Sequence, residues 1–456
     1  MAHVYISAAH KSSGKTVIAT GLCAAIRARG NIVQPFKKGP DYIDPMWLGR
    51  AAGRPCRNLD FFTMGREEIV LACSRYGSSA DVSIIEGTKG LHDGVALDGG
   101  DSNAALAKLL GAPVILVVDA RGLTRGVAPL VAAQSNFDED VQVAGVILNR
   151  VGGSRHEGKL RAAIEHYTGI PILGAVSDNK TLCIPEGHLG LLPANDHPEA
   201  ACVVDAIAAR VHAQVDLELV LRIAGEVAWP AAAVHPGNPK GLDSALRIGV
   251  ARDAAFGFYY PEDFEGLEAA GAELHFFDTL TDRSLPETDA VFIGGGFPER
   301  HMDALAANAD LRQLLKTRIA AGMPVYAECG GLMYLCRSLE WRGKRAPMVG
   351  VIEADAVMHE KPQGRGYVKL RETGKSLWPP PEGLEHEHLV CAHEFHYSDL
   401  KNCAPELEFA YEVVRGRGID GCHDGIIVGN VLASFSHLRD VAAYHWTRRF
   451  VEFARN

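Results

Sequence analysis

Val4-Tyr5-Ile6-Ser7-Ala8-Ala9-His10-Lys11-Ser12-Ser13-Gly14-Lys15-Thr16 decides how the first half of this chain folds. The run from Val4 to Ala8 is apolar enough for a strand buried on both faces. From Lys15 to Arg29 the apolar residues fall at helical spacing, and Gly30 ends them. The loop between closes on Gly-Lys-Thr. A loop of this kind at a helix N-terminus turns backbone amides toward an anion, so it reads as a phosphate-binding loop. Ser12, Ser13 and Gly14 would cradle phosphate, Lys15 would neutralise its charge, and the Thr16 hydroxyl would bind a magnesium ion. Ala9 stands where such loops usually carry their first glycine.

Outward from this loop the pattern repeats. Ile32 to Phe36, Val82 to Ile85, Val114 to Asp119, Val143 to Asn149 and Ile172 to Val176 are short apolar runs separated by helical stretches. That predicts a parallel sheet covered by helices. Periodicity stops between Glu226 and Asp243, and the three prolines between Trp229 and Pro239 mark a linker. A second strand series follows at Leu246 to Ala251, Glu273 to Phe277, Ala290 to Ile293 and Pro324 to Ala327. The chain is therefore expected to be α/β, with domains at residues 1–225 and 246–456 about a linker at 226–245. Trp378-Pro379-Pro380-Pro381 reads as a surface turn.

Composition narrows the class. The 456 residues are 47% hydrophobic and 22% charged, as suits a soluble protein with two or three cores. No run is long and apolar enough to span a bilayer, and no signal peptide opens the chain, so a cytoplasmic protein without a membrane partner is expected. The net charge of −10 argues against nucleic acid as a partner. Ten cysteines without a C-x-x-C pair suggest neither a zinc knuckle nor a disulfide framework.

One cysteine is different. Ala327-Glu328-Cys329-Gly330-Gly331 lies between a strand-like run and the helical Leu332-Met333-Tyr334-Leu335. A lone cysteine is often a buried small hydrophobe. On a sharp strand-to-helix turn, however, it is held out for attack, and the Gly330 amide after it can bind an oxyanion. Gly294-Gly295-Gly296 would bring the Gly295 and Gly296 amides to the same place, or form a plain turn. Ser434-Phe435-Ser436-His437 follows a strand-like run from Gly425 to Ala433 and supplies His437 as a base. His393 and His396 flank Glu394-Phe395 in a strand-like segment, a spacing unsuited to a metal pair there; they read as binding or structural residues.

Other residues point to the phosphate loop. Glu86 ends the Val82 run on the side where such sheets bind ligands, and is a metal candidate with Thr16 and Asp41. Asp41 and Asp44 lie in the turn after the second strand, where turn chemistry alone also explains them. Asn149 would bond an adenine edge or cap its strand.

Together these pieces resemble the cobyrinic acid a,c-diamide synthases over nearly the whole chain. The matching motifs are Ser13-Gly14-Lys15-Thr16, Gly39-Pro40-Asp41-Tyr42-Ile43-Asp44-Pro45, Glu86-Gly87, Ile184-Pro185-Glu186 with His188-Leu189-Gly190, Gly294-Gly295-Gly296-Phe297-Pro298-Glu299, Ala327 to Tyr334, His393 to Ser398 and Ala433 to Leu438. The resemblance implies an ATP domain similar to dethiobiotin synthetase and a class I glutaminase domain. Cys329 would attack the side-chain amide of L-glutamine with His437 as its base. Ammonia would pass to the other domain, where ATP with Mg2+ activates a tetrapyrrole carboxylate. The family is described as lacking the usual third, carboxylate member of the glutaminase triad, and Arg439, two residues after His437, agrees.

Departures from the family bear on the substrate. Lys38 stands where members acting on cobyrinate usually have Val, and Met46-Trp47-Leu48 where a His follows the Asp-Pro. The loop from Lys37 to Trp47 resembles a branch in sulfur-oxidising bacteria thought to amidate sirohaem. Lys38, Tyr42, Asp44 and Arg54 are the substrate-side candidates. Lys37, Lys38, Arg50, Arg54 and Arg57 are expected to gather as a basic patch for the substrate carboxylates. A homodimer is one expected assembly. Two rival readings are a cobyric acid synthase-like amidotransferase, disfavoured by the intact Lys15-Thr16, and a regulatory ATPase with a degenerate second domain. The latter class usually has a further lysine where His10 stands.

Overall fold

The computed structural model describes residues 2–179, 184–187, 190–225, 246–380 and 389–456. The expected linker, His188 and Pro381 lie outside the described residues. The chain divides into two compact units, residues 1–235 and 236–456.

The first unit is built on one sheet. Its strands are β1 (Ala2–Ala8), β2 (Val33–Lys38), β3 (Arg57–Leu59), β4 (Val82–Glu86), β5 (Val114–Asp119), β6 (Val143–Val151) and β7 (Ile172–Ser177). Their order is β3-β2-β4-β1-β5-β6-β7, and every pair is parallel. Helices cover the sheet, so strands such as β4 and β5 are buried at every position, which explains their unbroken apolar runs. Helix α1 (Lys15–Ala28) buries Ile18, Leu22 and Ile26 in the core, each contributing about 1.5–3 kcal/mol on burial. Register sets Ile6 and Lys37 on either side of Glu86, at the carboxyl ends of the central strands. Strand β2 runs on through Lys37 and Lys38, past the end of its apolar run. Helix α2 (Ile43–Ala52) follows and buries Trp47 completely.

The second unit holds a nine-stranded mixed sheet. Its strands are β8 (Leu246–Ala251), β9 (Ala272–Phe277), β10 (Ala290–Ile293), β11 (Val325–Glu328), β12 (Gly364–Glu372), β13 (Leu389–His396), β14 (Glu408–Arg415), β15 (His423–Val428) and β16 (Val431–Ser434). Their order is β9-β8-β10-β11-β16-β15-β14-β12-β13. The pairs from β9 to β16 are parallel and the rest antiparallel. The run from Gly425 to Ala433, expected as one strand, is a hairpin instead. Gly429 at φ 55 reverses the chain between β15 and β16. An isolated antiparallel bridge joins His393 of β13 to His437, just past β16. Trp378 is not at the surface. It is buried and stacks on Trp446 at 5.9 Å, since so large a ring is better covered than exposed. No helix among the described residues is long and apolar enough to cross a membrane.

Candidate active sites

In the first unit, the end of β6 shapes the phosphate loop. Asn149 Nδ2 donates to the Ser13 carbonyl at 2.9 Å, and Arg150 Nη1 to the Ser12 carbonyl at 2.8 Å. Ser12 (φ 65) and Gly14 (φ 87) take left-handed backbone. A Cβ on Gly14 would meet Asn149 Nδ2 at 2.1 Å, so glycine is required there. Ala9 is not among the positive-φ residues, and its methyl is tolerated. Asn149, expected at an adenine edge or as a strand-end cap, thus supports the phosphate loop. Its Oδ1 accepts from the adjacent Arg150 N–H at 3.0 Å, which fixes the orientation of the amide.

Lys15 is buried, with its ammonium donating to the Lys89 carbonyl. Burial lowers its pKa to about 8; Lys37 adds to the fall, and Glu86, Asp44 and Asp93 oppose it. A cation so poorly compensated favours an anionic ligand.

Beside it lies a cluster of oxygens. Thr16 Oγ1 donates to Glu86 Oε1 at 2.7 Å and lies 3.2 Å from Asp44 Oδ2. Lys37 Nζ is 2.6 Å from Asp44 Oδ2 and 3.2 Å from Glu86 Oε1. Burial alone would lower the pKa of Lys37, but Asp44 and then Glu86 raise it above the usual lysine range. Burial pushes Glu86 up, and Lys37 pulls it back. Asp41 is set one step away. Its Oδ1 accepts from the Ile43 and Asp44 N–H groups at 2.9 and 3.1 Å, starting α2 in the manner of an Asx turn. Burial, then Asp44, raises its pKa to about 7. So Asp44, expected on the substrate side, joins Thr16 and Glu86, while Asp41 holds the turn.

These donors fit magnesium. They are hard oxygens, few in number, and Glu86 Oε2 is buried without a hydrogen-bond partner. Thr16, Asp44 and Glu86 would hold the ion, which when bound neutralises phosphate oxygens.

The expected basic patch does not form. Lys37 is taken by the carboxylates. Arg57 lies 3.9 Å over the Tyr76 ring. Arg54 turns to Ser79, donating to its carbonyl at 2.9 Å and its Oγ at 2.6 Å. Lys37 and Lys38 are successive on β2 and point to opposite faces, while Arg54 and Arg57 have partners of their own, so closeness in sequence does not gather these cations. Lys38 is buried near Asp60, Asp101, Lys37 and Lys89, and burial lowers its pKa. Tyr42 is buried. Trp47 is a packing residue: its Nε1 donates to the Leu192 carbonyl at 2.8 Å, inside the core.

In the second unit, Cys329 follows β11 and opens the short helix Gly330–Leu335 with φ 47 and ψ −100. Few non-glycine residues adopt such backbone. Its N–H donates to the Ser434 carbonyl at 2.7 Å, and its carbonyl accepts from the Met333 N–H at 3.1 Å. Glycines make the bend possible. A Cβ would meet the Ile293 carbonyl oxygen at 2.2 Å from Gly331, the Gly296 nitrogen at 3.0 Å from Gly330, and His437 Cε1 at 2.5 Å from Gly295. Gly295, Gly296 and Gly330 thus crowd around the cysteine and the histidine, where oxyanion donors are needed. Cys329 and His437 are hydrogen-bonded. Burial alone would lower the pKa of His437; the bonds to Cys329 and Glu328 outweigh it and raise the value to about 10.

Comparison with known proteins finds matches for both units. Residues 247–440 match the CobB/CobQ-like glutamine amidotransferase domain, and residues 2–185 match an AAA domain. A cobyrinate a,c-diamide synthase of Magnetococcus marinus is 47% identical, over 99% of this chain and 97% of its own. Proteins of the same name from Archaeoglobus fulgidus (40%, covering 99% and 97%) and Methanosarcina acetivorans (39%, covering 99% and 95%) also match. The chain belongs to the cobyrinate a,c-diamide synthase family. It is accordingly an ATP-using glutamine amidotransferase, a carbon–nitrogen ligase.

In this cobyrinate a,c-diamide synthase family member, His437 has two neighbours of note: Glu328, whose part the sequence did not disclose, and His393, expected as a binding or structural residue. Glu328 Oε2 lies 3.2 Å from His437 Nδ1. The signal for it was a carboxylate closing an otherwise apolar strand, directly before the cysteine. His393 stacks on His437, with centroids 4.9 Å apart and planes at 15°, and its Nδ1 is 3.3 Å from the Tyr260 hydroxyl. His396 is structural: its Nδ1 is 2.7 Å from the Ser398 carbonyl, and its ring stacks on Phe435.

Proposed function

We propose that this chain converts the a and c acetate carboxylates of cobyrinate or hydrogenobyrinate to amides, using ATP, Mg2+ and the amide nitrogen of glutamine. The observation that carries this reading is the buried Cys329–His437 pair on its strained turn, in a chain whose other unit holds a phosphate loop. The names of the relatives supply the substrate class.

His437 takes the proton of the Cys329 thiol, and the thiolate attacks the side-chain carbonyl carbon of glutamine. The glycines around it frame the oxyanion. The carbon–nitrogen bond breaks, His437 returns the proton to nitrogen, and ammonia leaves. Water then hydrolyses the thioester to glutamate and free thiol. In the other unit a substrate carboxylate oxygen attacks the γ-phosphorus of ATP and ADP departs. Ammonia adds to the acyl phosphate carbon and inorganic phosphate leaves, giving the amide. A carboxylate is a poor electrophile until phosphate becomes its leaving group. Lys15 neutralises the transferring phosphate, and Thr16, Asp44 and Glu86 would hold the metal. We place this chemistry in the cytoplasm.

A second reading, amidation of sirohaem, is favoured by Lys38, a buried lysine where valine is usual. Incubation with cobyrinate, hydrogenobyrinate, sirohaem and nickel-sirohydrochlorin, scored by product mass, decides between them. ATP and glutamine turnover with no amide on any of the four would refute both.

A further inference from the structure

Glu328 ends β11 directly before the nucleophile, and its side chain is buried. Register sets it beside Ser434 of β16, three residues before His437. Both carboxylate oxygens are engaged. Oε1 accepts from the Leu438 N–H at 2.9 Å and from the Tyr326 hydroxyl, and Oε2 faces His437 Nδ1 at 3.2 Å. Two donors fix the carboxylate, and the imidazole is its third partner. Arg439, two residues past the histidine, lies over the Tyr260 ring instead.

We propose that Glu328 completes a Cys–His–Glu triad from the nucleophile's own strand. It accepts a hydrogen bond from the Nδ1–H of His437 while staying ionised, fixes the tautomer that leaves Nε2 to Cys329, and stabilises the imidazolium formed when the thiol gives up its proton. The third member expected to be missing after His437 is thereby supplied from before Cys329. Glu328 is a positioning residue; it acts through His437. The inference rests on the glutaminase reading of Cys329 given above.

The groups facing His437 support this assignment. Glu328 approaches from the end of β11 and Cys329 from the turn after it. His393 covers the ring from β13, and the charges of Arg439 and Asp263 act on His393 and Glu328 in turn. His393 is held neutral, because burial and then the charges of His437 and Arg439 lower its pKa well below the usual range. Asp263 is pushed upward by burial first and then by Glu328. Glu328 is the carboxylate in contact with the imidazole.

The test measures glutamine hydrolysis by the full-length protein across pH, for wild type and Glu328→Gln. The expected result is a kcat lower by about a hundredfold or more, with KM little changed. Removing a negative charge from beside an imidazolium lowers its pKa, so the basic limb of the kcat/KM profile should move to lower pH. Glu328→Asp keeps the charge and should leave that limb in place while lowering kcat; it carries the test if Glu328→Gln does not fold. In a His437→Ala background, Glu328→Gln should cost less than about threefold, because its partner is gone. A kcat within threefold of wild type overturns the proposal. So does a loss with the basic limb unmoved, or an undiminished loss in the His437→Ala background, since each is what a purely structural carboxylate gives. Cys329→Ser is assayed alongside. Retained hydrolysis there would refute the glutaminase reading itself, whatever Glu328 does.

Discussion

Lys15→Met should make the ligand-free protein more stable while abolishing synthesis. Lys15 is buried beside a second buried lysine, and its pKa falls from 10.5 to about 8, first through burial and then through Lys37. That fall corresponds to roughly 3 kcal/mol of destabilisation at neutral pH. The folded state binds this proton less well than the unfolded chain. The cost is therefore complete below the folded pKa of about 8 and fades as pH rises toward the ordinary value of 10.5. Methionine keeps an unbranched stem of similar length and drops the charge. Without nucleotide, the unit spanning residues 1–235 should gain roughly 3 kcal/mol in urea unfolding near neutral pH. In calorimetry that is about 6–12 °C in Tm for a unit of this size. The gain should shrink between pH 8 and 10.5. Mg-ATP should raise the Tm of wild type and not of the variant. A variant less stable than wild type near neutral pH, or a gain indifferent to pH, would mean that the Lys89 carbonyl compensates the ammonium in full. The charge of Lys15 would then not be held in reserve for phosphate.

Gly14→Ala places a methyl 2.1 Å from Asn149 Nδ2 on backbone at φ 87; ATP affinity should drop at least about tenfold in a nucleotide titration, and unchanged affinity would mean the loop is not the ATP site. Cys329→Ser should abolish glutamine-dependent amidation while high ammonia still supports product, measured by mass; loss of both in a folded variant refutes the division of labour. Lys38→Val should raise kcat/KM for cobyrinate relative to sirohaem, whereas Trp47→Phe, a change in the core, should leave that ratio alone. A ratio untouched by Lys38→Val would remove the sirohaem reading.

The parallel strands were legible because burial on both faces writes itself as an unbroken apolar run. Val114 to Asp119 and Leu246 to Ala251 match their runs residue for residue. Lys37 and Lys38 hid the end of β2. Lysine lowers local apolarity, and the carboxylates that accommodate Lys37 come from α2 and β4. Strand β3 is three residues long with two of them polar, too short for any period to show. The turn that carries Cys329 and the segment that carries His437 were legible as local motifs. The task of Glu328 was not, because it depends on a contact across 109 residues that only the β11–β16 register creates. Asp41 and Asp44 could not be told apart from sequence. Both lie in one turn, and the start of α2 decides which carboxylate turns to Thr16 and which caps the helix.

His437 and His393 also exchange backbone hydrogen bonds, at 2.8 Å from the His437 N–H and 3.4 Å from the His393 N–H. Because β13 is the last strand of its sheet and His437 follows β16 in the middle, the five strands from β16 to β13 return on themselves. The outermost strand has no open edge at that point, where an exposed edge would invite pairing with another chain. His437, the proposed base, is the clasp of this loop of strands. A slip of one residue in β13 would present Ala392 or Glu394 to the imidazole in place of His393. A chain that closes its sheet in the wrong register would also misplace its base, so one pair of hydrogen bonds proofreads the fold and arms the chemistry.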